Sequence, residues 1–191
     1  MSTAGHCLGA AVGRPQTWNR GAGPAVSTPE GQIGRVVFAE NRTSNETASQ
    51  YDFALIRLDK GVQSSAEIRS LGAPAGTTSD RNDSPMTLRT YGQSAFSNVS
   101  PQRDLLAPNT RHQDHVYVHG ALFLGDSGAP VVDADGLAVG TVLGVGGGKN
   151  SVGVGSVDAT NDGAPNVIGR LGPVVQHAST ALRVRLTLAQ A

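Results

Sequence analysis

Short apolar runs separated by turn-forming residues recur along the chain, and helical periodicity is confined to its C-terminal end. Residues 33–39, 52–58, 86–92, 115–118, 129–132, 137–144 and 151–157 read as β-strands. The run DFALIRL at 52–58 is apolar nearly throughout, as for a strand covered on both faces. Residues 40–50 are polar and read as a loop. Residues 72–85 (GAPAGTTSDRNDSP) are turn-rich and read as a linker between two halves, 1–85 and 86–191. Asp133-Ala-Asp-Gly136 is a hairpin signal, because glycine accepts the positive φ that such turns require. A helix is predicted over 173–182, with Pro173 in its first turn and Val174, Ala178 and Leu182 on one face. The strict alternation of RVRLTL at 183–188 predicts a final strand. Many short strands with one late helix indicate an all-β fold of sandwich or barrel type.

Composition narrows the function classes. The 191 residues hold 15 Lys+Arg and 15 Asp+Glu, so no net field points to nucleic acid or an anionic membrane surface. No apolar run approaches the ~18–20 residues that a membrane-spanning helix needs. The single cysteine, Cys7, excludes an internal disulfide or a cysteine-rich zinc site within these residues.

Three segments carry candidate chemistry: TAGHC around His6, the strand opened by Asp52, and GDSGAP around Ser127. A serine flanked by glycines can occupy a tight turn whose backbone N–H groups converge on one point, where they would stabilise an oxyanion. Serine is a weak nucleophile until an imidazole accepts its proton, and a buried carboxylate fixes that imidazole's tautomer. Taken singly, each has a plainer reading. GDSG is often only a turn, a lone histidine is commonly a core residue, and Asp52 could simply begin its strand. Together, in the order His, Asp, Ser and separated by 46 and 75 residues, they point to acyl transfer.

These three segments resemble the signature segments of chymotrypsin-like (trypsin-fold) serine proteases, and TAGHC is closer to the bacterial secreted branch than to animal trypsins. The chain order distinguishes this resemblance from subtilisins and α/β-hydrolases. The resemblance implies two six-stranded antiparallel β-barrels, the first incomplete here, with one short C-terminal helix. It implies an endopeptidase with Ser127 as nucleophile, His6 as general base and Asp52 as orienting carboxylate, a role set the family itself exemplifies. The N–H groups of Gly125 and Ser127 would form the oxyanion hole. Asp126 would make a buried ion pair that shapes the loop, with Arg89 as its expected partner. Ala121, six residues before the nucleophile, would floor the substrate pocket, and Leu143, Gly144 and Val145 would line its wall. The absence of an acidic residue at Ala121 disfavours basic substrates, so small or medium apolar side chains are expected. A peptide or protein substrate, a monomer and no cofactor are implied.

The family carries about thirty or more residues ahead of the TAGHC segment, where here only five precede His6. An upstream start or a degenerate fragment would account for this, and the intact triad favours the former. Relatives pair the cysteine after the catalytic histidine with one further upstream. Cys7 is then half of a bridge whose other half is missing, and the destination is secreted or extracytoplasmic. Two rival readings remain: a non-catalytic homologue acting as a binding or scaffold module, and a serine hydrolase acting on esters. His112, His115 and His119, with Asp114 close by, read as surface or pocket-wall histidines rather than metal ligands. The run at 146–150 lacks the first Gly and the Ser/Thr of a P-loop.

Overall fold

In the computed structural model, residues 1–9, 14–19, 21–41, 51–78, 81, 83–94, 100–144 and 165–189 are described. The first sheet contains β1 (Ser2–Thr3), β2 (Gln16–Thr17), β3 (Ala25–Thr28), β4 (Gly31–Asn41) and β5 (Asp52–Leu58). Its order is β1-β5-β4-β2, and β3 also pairs with β4. β4 is long enough to bind β5 along one edge and both β2 and β3 along the other.

The second sheet is six-stranded: β6 (Met86–Tyr91), β7 (Gln102–Ala107), β8 (His115–Val118), β9 (Pro130–Asp133), β10 (Ala138–Gly144) and β11 (Asn166–Arg170). Its order is β7-β6-β9-β10-β11-β8, all antiparallel. Leu106 and His119 exchange two backbone hydrogen bonds of 2.8 Å, joining the outer strands β7 and β8 and closing a barrel. Its interior holds Leu88, Leu105, Val116, Leu122, Val142 and Ile168 among others. Closure removes the free edges that an open sheet would expose. Among the described residues the architecture is two antiparallel sheets and one α-helix, which agrees with the all-β expectation.

The helix, α1 (Leu171–Leu182), follows β11 directly and begins two residues before the expected start. Pro173 still lies in the first turn, where a missing N–H costs nothing. Val174 and Ala178 are buried, and this face packs across the molecule onto Phe38 and Phe53 of the first sheet. Ala54 and Ile56 face a separate cluster with Val36 and Ala39. β5 is therefore covered on both faces, as its apolar run requires. Full burial of one side chain the size of Phe38 or Phe53 contributes about 2–3 kcal/mol.

The expected strand at 183–188 does not form. Arg183 adopts a left-handed conformation at the helix C-terminus (φ 55°), and the N–H groups of Arg183 and Val184 bond back to Thr180 and Ser179. The N–H of Leu186 donates to Ser179 Oγ at 3.2 Å, and its side chain joins the α1 cluster. Of the alternating apolar residues only Leu186 packs into this cluster, while Val184 stays 52% exposed, and the tail has no sheet edge to pair with. Residues 72–85 do not simply span a gap either: Gly76 accepts from the Ala138 N–H and Thr78 donates to the Ala138 carbonyl, laying this stretch along β10. β7 and β11 form where no strand was expected, and the strand expected at 151–157 lies outside the described residues.

Candidate active site

His6 sits in a single 3₁₀ turn, Gly5–Leu8, between β1 and the segment that follows. The amides at the start of such a turn lack partners within it. Asp52, the first residue of β5, supplies one: its Oδ1 accepts from the His6 backbone N–H at 2.7 Å. Its Oδ2 lies 2.6 Å from His6 Nδ1. Gly5 permits this arrangement, because a Cβ there would fall 2.0 Å from the Glu40 carbonyl oxygen on β4.

The Asp52 side chain is 5% exposed and that of His6 35%. The hydrogen bond to the Asp52 carboxylate holds the His6 pKa above its ordinary value, partial burial of the ring opposes this, and the carboxylate's charge adds to the rise. On the opposite side of the ring, Nε2 lies 2.8 Å from Ser127 Oγ. The sequence-expected His6, Asp52 and Ser127 therefore meet in one continuous hydrogen-bonded chain.

Ser127 lies in the turn between β8 and β9, with Gly125 at φ 95° and Gly128 at φ 82°. The N–H groups of Asp126, Gly128 and Ala129 are used to fold the loop, donating to Phe123, Val142 and Asp126 respectively. Those of Gly125 and Ser127 have no acceptor among the described residues. Gly128 also brings the two sheets together, since a Cβ there would lie 2.3 Å from Thr3 Oγ1 and 3.0 Å from the Ala4 nitrogen.

The expected Asp126–Arg89 pair is not the one formed. Asp126, fully buried, pairs with Arg103 of β7, whose Nη2 lies 2.5 Å from its Oδ1. The other oxygen accepts from the Phe123 N–H at 2.8 Å. Arg103 also donates to the Ser100 carbonyl and lies over the Phe123 ring, 5.5 Å from its centroid. Arg89 instead reaches the Asp133 carbonyl at 3.5 Å. The reason is strand parity: Leu88 and Thr90 point into the barrel, which turns Arg89 away, whereas Arg103 alternates inward with Leu105 and Ala107.

Ala121 is exposed, and Leu143 and Gly144 are half-buried at the end of β10. Val145 lies outside the described residues. Asn166, unremarked in the sequence, is fully buried on β11 and donates from Nδ2 to the Gly120 carbonyl at 2.8 Å, fixing the backbone just before Ala121. His115 is buried on β8, with His112 stacked on it at 5.1 Å. His112 Nδ1 accepts from the backbone N–H groups of Asp114 and His115. No group of three or more His, Cys, Asp or Glu side chains disposed for a metal occurs among the described residues. No helix among them is long and apolar enough to cross a membrane. A crevice of about 1030 Å³ between the sheets is lined by residues such as Met1, Leu55, Pro130 and Val184, and includes no member of the triad.

Residues 2–161 match the family described as Trypsin. Among solved structures, the chain resembles one titled "Structure of Glu endopeptidase in complex with MPD", at 19% identity and a TM-score of 0.53. That match covers 94% of this chain and 79% of the other. At that identity the likeness concerns the fold. A search of curated proteins found no match.

Proposed function

The chain belongs to the trypsin family of serine proteases, and from that premise we propose that it is a serine endopeptidase working through an acyl-enzyme. The observation that carries this reading is the unbroken path from Asp52 Oδ2 through the His6 ring to Ser127 Oγ, with contacts of 2.6 and 2.8 Å. Ser127 Oγ attacks the scissile carbonyl carbon as its proton passes to His6 Nε2. The carbonyl oxygen, now negative, sits between the Gly125 and Ser127 N–H groups, which have no acceptor among the described residues. Collapse of the tetrahedral species breaks the C–N bond, and His6 returns the proton to the leaving amine. Water then repeats the sequence on the ester, releasing the acid and restoring Ser127. Asp52 keeps the Nδ1 proton in place throughout and stabilises the imidazolium. No step calls for a metal or an organic cofactor.

The buried Asp126–Arg103 pair supports the loop that presents Ser127. The chain is read as two lobes, 1–85 and 86–191, with substrate bound across the junction that Gly128 and Thr3 close. The neutral Ala121 and the apolar Leu143 favour small or medium apolar side chains before the cleaved bond. The family points to an extracytoplasmic destination.

Incubation with a mixed peptide library, with products identified by mass spectrometry, tests the reading. Cleavage after Ala, Val or Leu-sized residues is expected, and it should vanish in Ser127→Ala. A profile dominated by basic or acidic residues would overturn the proposed preference. Turnover of esters with none of peptides would overturn the peptidase reading.

A further inference from the structure

A second imidazole–carboxylate contact lies behind the triad and takes no part in the chemistry above. Glu40, fully buried near the end of β4, meets His177 of α1, with Oε2 and Nε2 2.7 Å apart and side-chain exposures of 0% and 31%. The Tyr51 ring stacks on the His177 ring at 4.6 Å and 13°, and Phe38 meets it edge-on at 6.1 Å. Each contact adjoins the catalytic strands. Tyr51 immediately precedes Asp52. Glu40 is paired across the ladder with Phe53, and its neighbour Asn41 with Asp52 itself. The Glu40 carbonyl also packs against Gly5, the residue before His6.

A buried polar contact is a poor device for stability, because desolvating its groups offsets much of their attraction. An apolar pair of similar shape would attach α1 at least as well. A polar pair instead selects one arrangement. An apolar cluster also joins α1 to the first sheet, made by Val174, Val175, Ala178 and Leu182 with Phe38, Phe53 and Leu55. Such contacts tolerate a rotated or shifted helix, whereas a buried carboxylate that must meet one imidazole does not. His177 is the sole titratable side chain of α1, and the groups that face it are Glu40 from β4 and the Tyr51 phenol ahead of β5.

We propose that Glu40 and His177 are positioning residues: together they set the register of α1 on the first sheet and, through Tyr51, hold Asp52 in its place against His6. This inference rests on the Ser–His–Asp reading of the site. In it, α1 is part of the support for a carboxylate more than a hundred residues earlier in the chain. Positioning of this kind matters because small misplacements of a catalytic group are costly in rate.

The test compares Glu40→Gln, His177→Gln, the double variant and Tyr51→Leu, the last of which disturbs the stack without leaving a buried charge unpaired. His6 ring titration is followed by NMR, and kcat and KM are measured on a peptide substrate. Folding of each variant is checked by its amide spectrum. Every folded variant should bring the His6 midpoint down toward its ordinary value and lower kcat by about tenfold or more, with KM within about twofold. The double variant should be no worse than the more damaging single one. An unchanged His6 midpoint with unchanged kcat in folded variants, or single effects that add, would overturn the proposal. Since the His6 titration is read without turnover, a wild-type chain that cleaves nothing would defeat the peptidase reading and still leave the His6 midpoint to decide this one.

Discussion

One carboxylate holds His6 at two places: Asp52 Oδ1 takes the His6 backbone N–H at 2.7 Å, and Oδ2 meets the ring Nδ1 at 2.6 Å. Both partners require an acceptor, so the carboxylate cannot be replaced by an amide without conflict. In Asp52→Asn, the amide oxygen must face the backbone N–H and the NH₂ group must then face Nδ1. The ring is forced to carry its proton on Nε2, where it cannot accept one from Ser127. The expected loss in kcat is about 10⁴-fold, the magnitude characteristic of this constellation, with little change in fold. Steady-state kinetics together with a thermal melt check it.

The raised His6 pKa fixes the sign of two pH effects. Catalysis needs the neutral ring, so the rising limb of kcat/KM against pH should have its midpoint above the ordinary histidine value of about 6.5. Stability runs the other way. A group whose folded pKa is raised contributes fully below its unfolded value and loses that contribution as pH climbs through the folded one. The Tm advantage of the wild type over His6→Gln should therefore be largest in mild acid and shrink toward alkaline pH. Melts across that range, paired with a pH–rate profile, measure both.

Removing Arg103 leaves the fully buried Asp126 carboxylate without its counter-charge. Arg103→Met should cost about 3–5 kcal/mol in denaturant unfolding, because an uncompensated charge remains in the interior. Arg89→Met should cost less than about 1 kcal/mol, since among the described residues Arg89 makes a single long contact, to the Asp133 carbonyl. A reversal of this order in urea titrations would contradict the assigned pairing.

Gly128 is the point where the serine loop touches the histidine segment. Gly128→Ala would set a Cβ 2.3 Å from Thr3 Oγ1 and 3.0 Å from the Ala4 nitrogen, at a φ of +82°. A loss of about 1–3 kcal/mol in stability is expected, with a fall in kcat as Ser127 and His6 part. Adding Thr3→Ala should recover part of the loss and not all of it, because the Ala4 backbone remains in the way. Melting curves and kinetics of the single and double variants decide this.

The chemistry was legible in the sequence where it is carried by contiguous segments. TAGHC, DFALIRL and GDSGAP each hold one triad member, and the turn glycines around Ser127 announce their backbone geometry. Pairings between distant strands were less legible. Arg89 and Arg103 differ only in which face of a strand they occupy, and QRDLLA is too polar to announce itself as β7. An alternating reading of that stretch, with Arg103, Leu105 and Ala107 inward, would have exposed a buried arginine needing a carboxylate. Glu40 and His177 carry no local signal, because their contact exists only once α1 has crossed to the first sheet. The tail at 183–188 misled for a related reason. Its alternation suggested one buried side, but only Leu186 packs against the end of the helix and Val184 stays exposed.

The central claim is that Ser127 is an activated nucleophile, and covalent labelling tests it most directly. The wild-type chain is treated with a fluorophosphonate, its intact mass is measured, and the modified peptide is sequenced. One adduct on Ser127, absent in Ser127→Ala and strongly slowed in Asp52→Asn, is the predicted result. A wild-type chain that takes no label, or a Ser127→Ala chain that labels equally well, would contradict the account.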